Sequence, residues 1–546
     1  MSLSADTKTP QTHLEICFAE GGASASLAPK SILLIGASIT TDLSAAMVTD
    51  GSDTTETRTT TAGVAPLNVA TMTSGAAHAK TLAGRGSELA IAAAAVFQQY
   101  PQARLYLAPL TPNGSSRATG TITPTISTLS AGTLRITVCG ESVDIPVSAS
   151  DDVHTIGLAI ARAVNNQTDW PVTATNTWST GAVVLRSKII GPRGHGISFR
   201  ATLSDATSST TVSSGAGVTL FGLTITLSGG TADGSLYRLS GGGTADDSVT
   251  TLLANIAADA YDRVCLAGYL VSGATTAKLA ALVTQVGAQL NDARQFNQQI
   301  VVGAGLSVAS SVSVAAVNSP LVQVVGLQGA DDLPLAIAGQ AAAMRLFGDA
   351  IAAGAIEGEA TNPAANLNGG RLATIKAPAF AADRYEATEV EALLNAGVTP
   401  LVSDGGRPGR VMVVSSITSR STLDGVVPDF SVFKTYDVTV PQWVRAEVLA
   451  DLRTTYRGKK IVPDSASGAP DPRTGVVQPR QIKSRVFGLL KRFEARGIVM
   501  SVEEADVSAT INGANPRRVD IAFPCIPTQD LDITHGTLRQ QQPATV

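Results

Sequence analysis

The chain alternates short β-branched strands with helices of ten or more residues, breaks off, and then resumes. Ser31 to Ala37 (SILLIGA) reads as a strand buried on both faces. Ser87 to Gln99 reads as a helix with Ser87 as its N-cap, and Ala103 to Leu110 as a second buried strand. After an interruption the rhythm returns with helix 248–260, strand 263–267, helix 274–294, strands 299–303 and 321–326, and helix 334–353, which has Pro334 in its first turn. Helices of that length between such strands imply a parallel sheet. An α/β domain is therefore expected from two separated stretches, 31–110 and 245–370.

The interruption is chemically distinct. From Thr111 to about Gly243 the chain is rich in Thr, Ser and Gly, with strand-like pieces at 133–138, 143–147, 183–186 and 218–227. One helix, 151–165, carries Ile156, Ile160 and Val164 on one stripe. This predicts a β-rich domain over 111–244, inserted into the α/β layer. Residues 41–60 read as polar and turn-rich. A further change comes after 370, with a short helix at 388–395, a strand at 409–418, and helices at 442–457 and 479–496. The last of these is striped by Ile482, Val486, Leu489, Leu490 and Phe493. The fold class expected is multidomain, α+β combined with α/β.

Both ends carry strand signatures. Val519, Ile521 and Phe523 alternate with Asp520 and Ala522 before Pro524 and Pro527 stop the pattern, and Leu531 and Ile533 begin a second alternation. Near the start, Leu14, Ile16 and Phe18 share one face of THLEICFA. A strand so close to a terminus needs a sheet to join. Residues 1–30 and 524–546 therefore read as arms, the first also supplying part of a domain completed by 371–523.

Composition narrows the function classes. Of 546 residues only 15% are charged while 44% are hydrophobic, so much surface is weakly charged, which suits a chain buried in an assembly. The net charge of −4 gives no global pointer to nucleic acid or a membrane. Residues 441–500 depart from this, with 12 Lys or Arg against 5 Asp or Glu. Arg480, Lys483, Arg485, Lys491, Arg492 and Arg496 are the candidates there for meeting an acidic partner, a solvated helix face being the alternative. No basic and apolar leader precedes the first domain. The apolar run 89–97 is too short to span a bilayer, and 336–356 is broken by Gln340, Arg345 and Asp349. Synthesis and assembly in a cytoplasm are expected.

The search for catalytic chemistry yields no assignment. His13, His78, His154, His195 and His535 form no HxxxH or HExxH pair. The GHG around His195 and the HGT after Thr534 faintly resemble the histidine segment of subtilisin-type proteases, but no matching serine segment exists. Gly241-Gly242-Gly243 lacks the lysine of a phosphate loop. The pairs Asp151-Asp152, Asp246-Asp247 and Asp331-Asp332 each precede a helical pattern and read as caps. Cys17, Cys139, Cys265 and Cys525 have no zinc spacing and read as reduced thiols. No catalytic residue, metal or cofactor is assigned, and the chain is read as a non-enzyme, with a degenerate α/β hydrolase as the rival.

Five segments in order carry a resemblance. They are LAGRGSELAIAAAAVFQQYPQARLYLAPL (82–110), ATNTWSTGAVVLRSKIIGPRGHGISFR (174–200), LSGGTADGSLYRL (227–239), RVMVVSSITSRSTLDGVVPDF (410–430) and ANPRRVDIAFPCIPTQDLDI (514–533). Together they resemble the contractile-tail sheath proteins of phages, especially the Mu-type branch, although His195 stands where that family usually has Asn. The resemblance implies a conserved domain built from both chain ends, an inserted α/β domain, a further inserted β-rich domain facing outward, and terminal arms that add strands to sheets of neighbouring subunits. It implies a virion structural protein that polymerises as stacked hexameric rings around a tail tube and contracts to drive the tube through the host envelope. Its partners would be itself, the tube protein, and baseplate and terminator proteins, with neither nucleic acid bound nor a membrane entered. The sheath of a phage-derived injection system or bacteriocin shares these mechanics. Because Cys17 and Cys525 lie on the two interlaced pieces, the resemblance also implies an intersubunit disulfide between them.

Overall fold

A computed structural model of the chain describes residues 30–530 except 51–53, 214, 245–246, 269–273, 291–296, 306, 350–356, 408, 424, 426, 430, 466–470 and 472. The chain is a mixed α/β protein with one large mixed sheet, and it divides into two compact units, Met1–Asp451 and Leu452–Val546.

In the first unit, nine strands form one sheet in the order Arg371–Lys376, Arg410–Val413, Val398–Ser403, Val322–Gly326, Gln299–Ala304, Arg263–Ala267, Ser31–Gly36, Arg104–Pro109 and Thr71–Thr73. The six from Val398–Ser403 to Arg104–Pro109 are parallel, and the others close the two edges antiparallel. Period two decides the two cores. Ile32 and Leu34 pack with Leu89 and Val96 of helix Glu88–Gln99 and with Ala338 and Ala342 of helix Pro334–Phe347. Leu33 and Ile35 turn the other way, toward Leu279, Leu282 and Val286 of helix Ala274–Leu290. The alanine-rich helix approaches closely: a Cβ on Gly303 would lie 1.9 Å from the Pro334 carbonyl oxygen.

The sheet draws on residues beyond 370, because Val324 and Val325 pair in parallel with Val398 and Thr399. The composition shift at 371 marks the loss of long helices and not the end of the sheet. Another departure is helix Thr435–Tyr456, which begins seven residues ahead of the expected 442 and contains Pro441. Proline costs an internal hydrogen bond, about 3 kcal/mol in an exposed helix. Here Tyr436, Val438 and Val440 are buried ahead of it, and that packing overrides the local signal. Ser87 caps helix Glu88–Gln99 through the Ala90 N–H, as expected.

The stretch between Thr111 and Gly243 forms a five-stranded and a four-stranded antiparallel sheet, helix Val153–Asn166 and a small hairpin, Gly230–Asp233 with Leu236–Leu239, with a core that includes Ile156, Ile160, Val164, Leu185 and Phe199. The expected strand 218–227 is two strands, Val218–Leu220 and Leu223–Ser228. Phe221 and Gly222 (φ 43° and 82°) turn the chain between them. The polar stretch 41–60 is also a hairpin, Leu43–Val48 with Thr55–Thr60. It buries Ala45 and Met47, and Val48 exchanges hydrogen bonds with the Asn176 side chain. Only two residues of that hairpin face inward, so its composition hid it.

The second unit is smaller. Helix Pro479–Ala495 starts in a Gln478–Gln481 capping box and buries Ile482, Val486, Leu489, Leu490 and Phe493. Strands Ser508–Ile511 and Val519–Ala522 pair antiparallel.

Candidate functional site

The carboxyl-terminal unit presents two surfaces made by simple local rules. The first is the hairpin. Its register sets Ala509 opposite Ile521 and Ile511 opposite Val519, so these four side chains share one face, and all four are only half-buried. Phe523, just past the strand, is half-buried too. Asn512 ties down the turn, donating to Asp520 at 2.7 Å and accepting from the Ala514 and Asn515 N–H groups. Two strands are marginal alone, and a third on either edge is the usual remedy. Among the described residues this sheet has only two.

Of the other arm residues, Leu14, Ile16, Phe18, Cys17, Leu531 and Ile533 lie outside the described residues. The late strand pairs backward with Ser508–Ile511, a partner whose short Ser-Ala-Thr-Ile run gave no clear signal.

The second surface is the exposed arc of helix Pro479–Ala495. Because the apolar stripe turns inward, the basic residues take what remains. Arg485, Lys491, Arg492 and Arg496 are exposed, while Arg480 and Lys483 are half-buried. They are not equivalent. Arg480 is folded back onto Gln478, at 2.9 Å, and Ser465. Lys491 pairs with Glu494 at 2.6 Å, holding that carboxyl below the usual range. Lys483 and Arg492 have no ion-pair partner among the described residues.

Cys139, Cys265 and Cys525 are free thiols. Burial pushes the Cys525 thiol up to about 12. It is therefore protonated at neutral pH, and the thiolate is the species that exchanges.

Elsewhere the polar residues hold the fold together. Among the described residues no cluster of His, Cys, Asp and Glu is arranged to hold a metal ion. His195 accepts the Gly242 N–H, and His154 stacks on Trp178. Asp152 caps its helix in a capping box, whereas helices Thr250–Asn255 and Pro334–Phe347, which follow Asp247 and Asp331-Asp332, have no side-chain cap. Asp247 takes the Arg193 guanidinium at 2.9 Å and the Asn113 N–H. The same Arg193 reaches Glu88 at 2.9 Å, and Glu88 in turn accepts the Ala37 N–H. Asp331 accepts from Ser198 and Arg200, both at 2.8 Å, and Asp332 accepts the Lys376 N–H. Burial, reinforced by the Asp331 and Glu141 carboxylates against the pull of Lys376, pushes Asp332 up to about 7. Glu88, Asp247 and Asp331 fasten the 111–243 stretch to the segments around the nine-stranded sheet, while Asp332 holds that sheet's edge strand Arg371–Lys376. Sequence spacing reads these aspartates as caps because their partners lie far along the chain.

A second buried network lies across the sheet. Glu359 receives Arg345 at 2.5 Å and also pairs with Arg263, while Arg345 donates to Gln323 and Thr439, both at 3.2 Å, and to Gln299. All three charged side chains are under 5% exposed.

No protein-family model matches this chain, and no curated protein does. Among solved structures, a sheath tail protein from Listeria innocua is similar over 93% of this chain and 94% of its own, at 11% identity and a TM-score of 0.44.

Proposed function

We propose that the chain is the structural subunit of a contractile tail sheath. Subunits would stack as hexameric rings around a tail tube, and contraction would drive that tube through an envelope. The observation that carries this reading is the carboxyl-terminal hairpin, a two-stranded sheet with a half-covered apolar face in a chain whose two ends both hold further strand patterns. Edge strands left open are a liability in a monomer. They become a joint when a neighbour's strand fills them. The five ordered segments that resemble sheath proteins, and a surface with few charges, support the same reading. The conserved domain would combine residues 1–30 with 371–523, whose first strands continue the nine-stranded sheet, the tail 524–546 would serve as a second arm, and 31–110 with 245–370 and 111–244 would be threaded between.

In this reading the exposed basic arc of helix Pro479–Ala495 faces an acidic tube, in a contact weak enough to release. Electron micrographs of the purified protein are expected to show long tubes, and particles that stay monomeric at every concentration would sink the assignment. Changing Lys483, Lys491 and Arg492 together to Glu is expected to reduce assembly on tubes at least tenfold. Normal tails from that variant would remove this helix from the tube contact.

The Cys17–Cys525 link between subunits belongs to the same proposal. The two thiols would lose two protons and two electrons to an external oxidant such as dioxygen, after assembly has brought the partner strand alongside Cys525. Assembled tails on a non-reducing gel are expected to run as covalent oligomers, and monomer bands without reductant would end the idea.

A further inference from the structure

Where the parallel strands Val322–Gly326 and Val398–Ser403 run out side by side, the sheet leaves a hollow. Val324 pairs with Val398 and Gly326 with Pro400, so the carboxyl ends of the two strands are neighbours. Open α/β sheets hold their ligands outside the carboxyl ends of parallel strands. Here a cavity of about 220 Å³ is walled on its apolar side by Leu327, Pro378, Leu401 and Val402. That is room for several waters or for one small organic molecule.

The polar side of the wall is unfinished. Asp383, the last residue of the 3-10 turn Ala381–Asp383, lines the cavity and is only 4% exposed. Its Oδ1 accepts the Ser235 N–H at 3.1 Å, but its Oδ2 is buried with no hydrogen-bond partner among the described residues. No cation forms an ion pair with this carboxylate among the described residues either. Ser403 lines the same cavity, and its Oγ is likewise buried and unpartnered. Buried polar atoms are almost always satisfied, so two orphans on one cavity wall mark groups that a bound molecule would meet. A half-served carboxylate is the costlier of the two to leave, which makes Asp383 the main recognition element.

We infer that this cavity binds a small zwitterion of the α-amino-acid class, with its ammonium on Asp383 and its side chain against the apolar wall. An ionised carboxylate only accepts hydrogen bonds, so Asp383 calls for a donor, and a charged donor bonds it most strongly. The Ser403 Oγ takes a second ammonium proton. Arg384 decides between an amine and a zwitterion. It lines the same cavity, is exposed, and has no ion-pair partner among the described residues. A bare organic cation would meet a like charge there, whereas a ligand carboxylate answers it. The Tyr385 hydroxyl is engaged by Ser311 and the Gln328 backbone and is left to them. A neutral sugar or a free phosphate supplies no cation for Asp383. The inference stands on this cavity alone and not on the sheath assignment, so the two fail separately.

The test is isothermal titration of the full chain with L-leucine, L-valine and L-methionine, each alone. 3-Methylbutylamine and 4-methylpentanoate serve as probes that carry only one of the two charges. At least one amino acid is expected to bind with a Kd below about 1 mM, a modest affinity for molecules of this size. The amine and the acid are expected to bind at least about tenfold more weakly. Asp383→Asn keeps an acceptor for the Ser235 N–H but loses the charge, and is expected to weaken binding by about tenfold or more. In case that variant folds poorly, Ser403→Ala is expected to weaken binding about threefold with an unchanged urea midpoint. Arg384→Gln is expected to erase the preference for the amino acid over the amine. No heat from any of the three amino acids at about 10 mM would overturn the inference and leave the cavity to water. So would an amine or acid that binds as tightly as the amino acid, or an unchanged affinity in either folded variant of Asp383 or Ser403.

Discussion

Replacing Glu359 with alanine is expected to destabilise the first unit by about 3–5 kcal/mol, measured by urea unfolding of the free subunit. The carboxylate is the shared counter-ion of Arg345 and Arg263, and all three side chains are buried. Burial already lowers both guanidinium groups, Arg263 to about 10 and Arg345, which also feels the Arg263 charge, well below its ordinary value. Removing the anion leaves two cations facing each other away from water. Gln323, Gln299 and Thr439 remain as acceptors for Arg345, but neutral oxygens do not replace a charge. A loss of that size is a large fraction of a typical folding free energy. A cost below about 1 kcal/mol would show that Glu359 is not the counter-ion that holds this network.

Arg193→Met is expected to have a comparable cost, about 3–5 kcal/mol, with a different signature. Arg193 lies in a 3-10 turn of the 111–243 stretch and grips Glu88 at the start of a sheet-covering helix and Asp247 where the chain returns to the sheet. One planar fork serves two carboxylates from different segments. Lysine has a single ammonium and cannot reproduce both contacts, so Arg193→Lys should fall between wild type and Arg193→Met. Because the contact joins two parts of one unit, limited proteolysis of Arg193→Met is expected to cut first near residues 111–117 and 240–248. A variant with normal stability and an unchanged digestion pattern would mean that the inserted stretch is held by other contacts.

What was legible in the sequence was whatever repeats locally. The runs 32–35 and 264–267 are apolar throughout because both sheet faces are covered, and their helices announce themselves by length and caps. The stripe of helix Pro479–Ala495 likewise shows which face turns inward and leaves the basic residues outside. The hairpin Leu43–Val48 with Thr55–Thr60 was not legible, since its inward residues are few and its outward ones are threonines. Helix Thr435–Tyr456 was read short because Pro441 is a local stop signal that distant packing overrides.

The same division holds for the candidate surfaces. Val519, Ile521 and Phe523 advertise a strand by their spacing, but the identity of its partner, Ser508–Ile511, depends on where the Asn512–Arg518 turn folds the chain back. The acidic pairs make the point most sharply. Asp152 contacts Thr155, three residues away, and the sequence by itself determined its role as a cap. Asp331 meets Ser198 and Arg200, more than 130 residues away, and Glu359 meets Arg263 across 96. Periodicity and capping act within one turn or one strand, so they are written in neighbouring residues. A buried charge finds its counter-ion wherever the packed chain places one, and only the tertiary structure decided that.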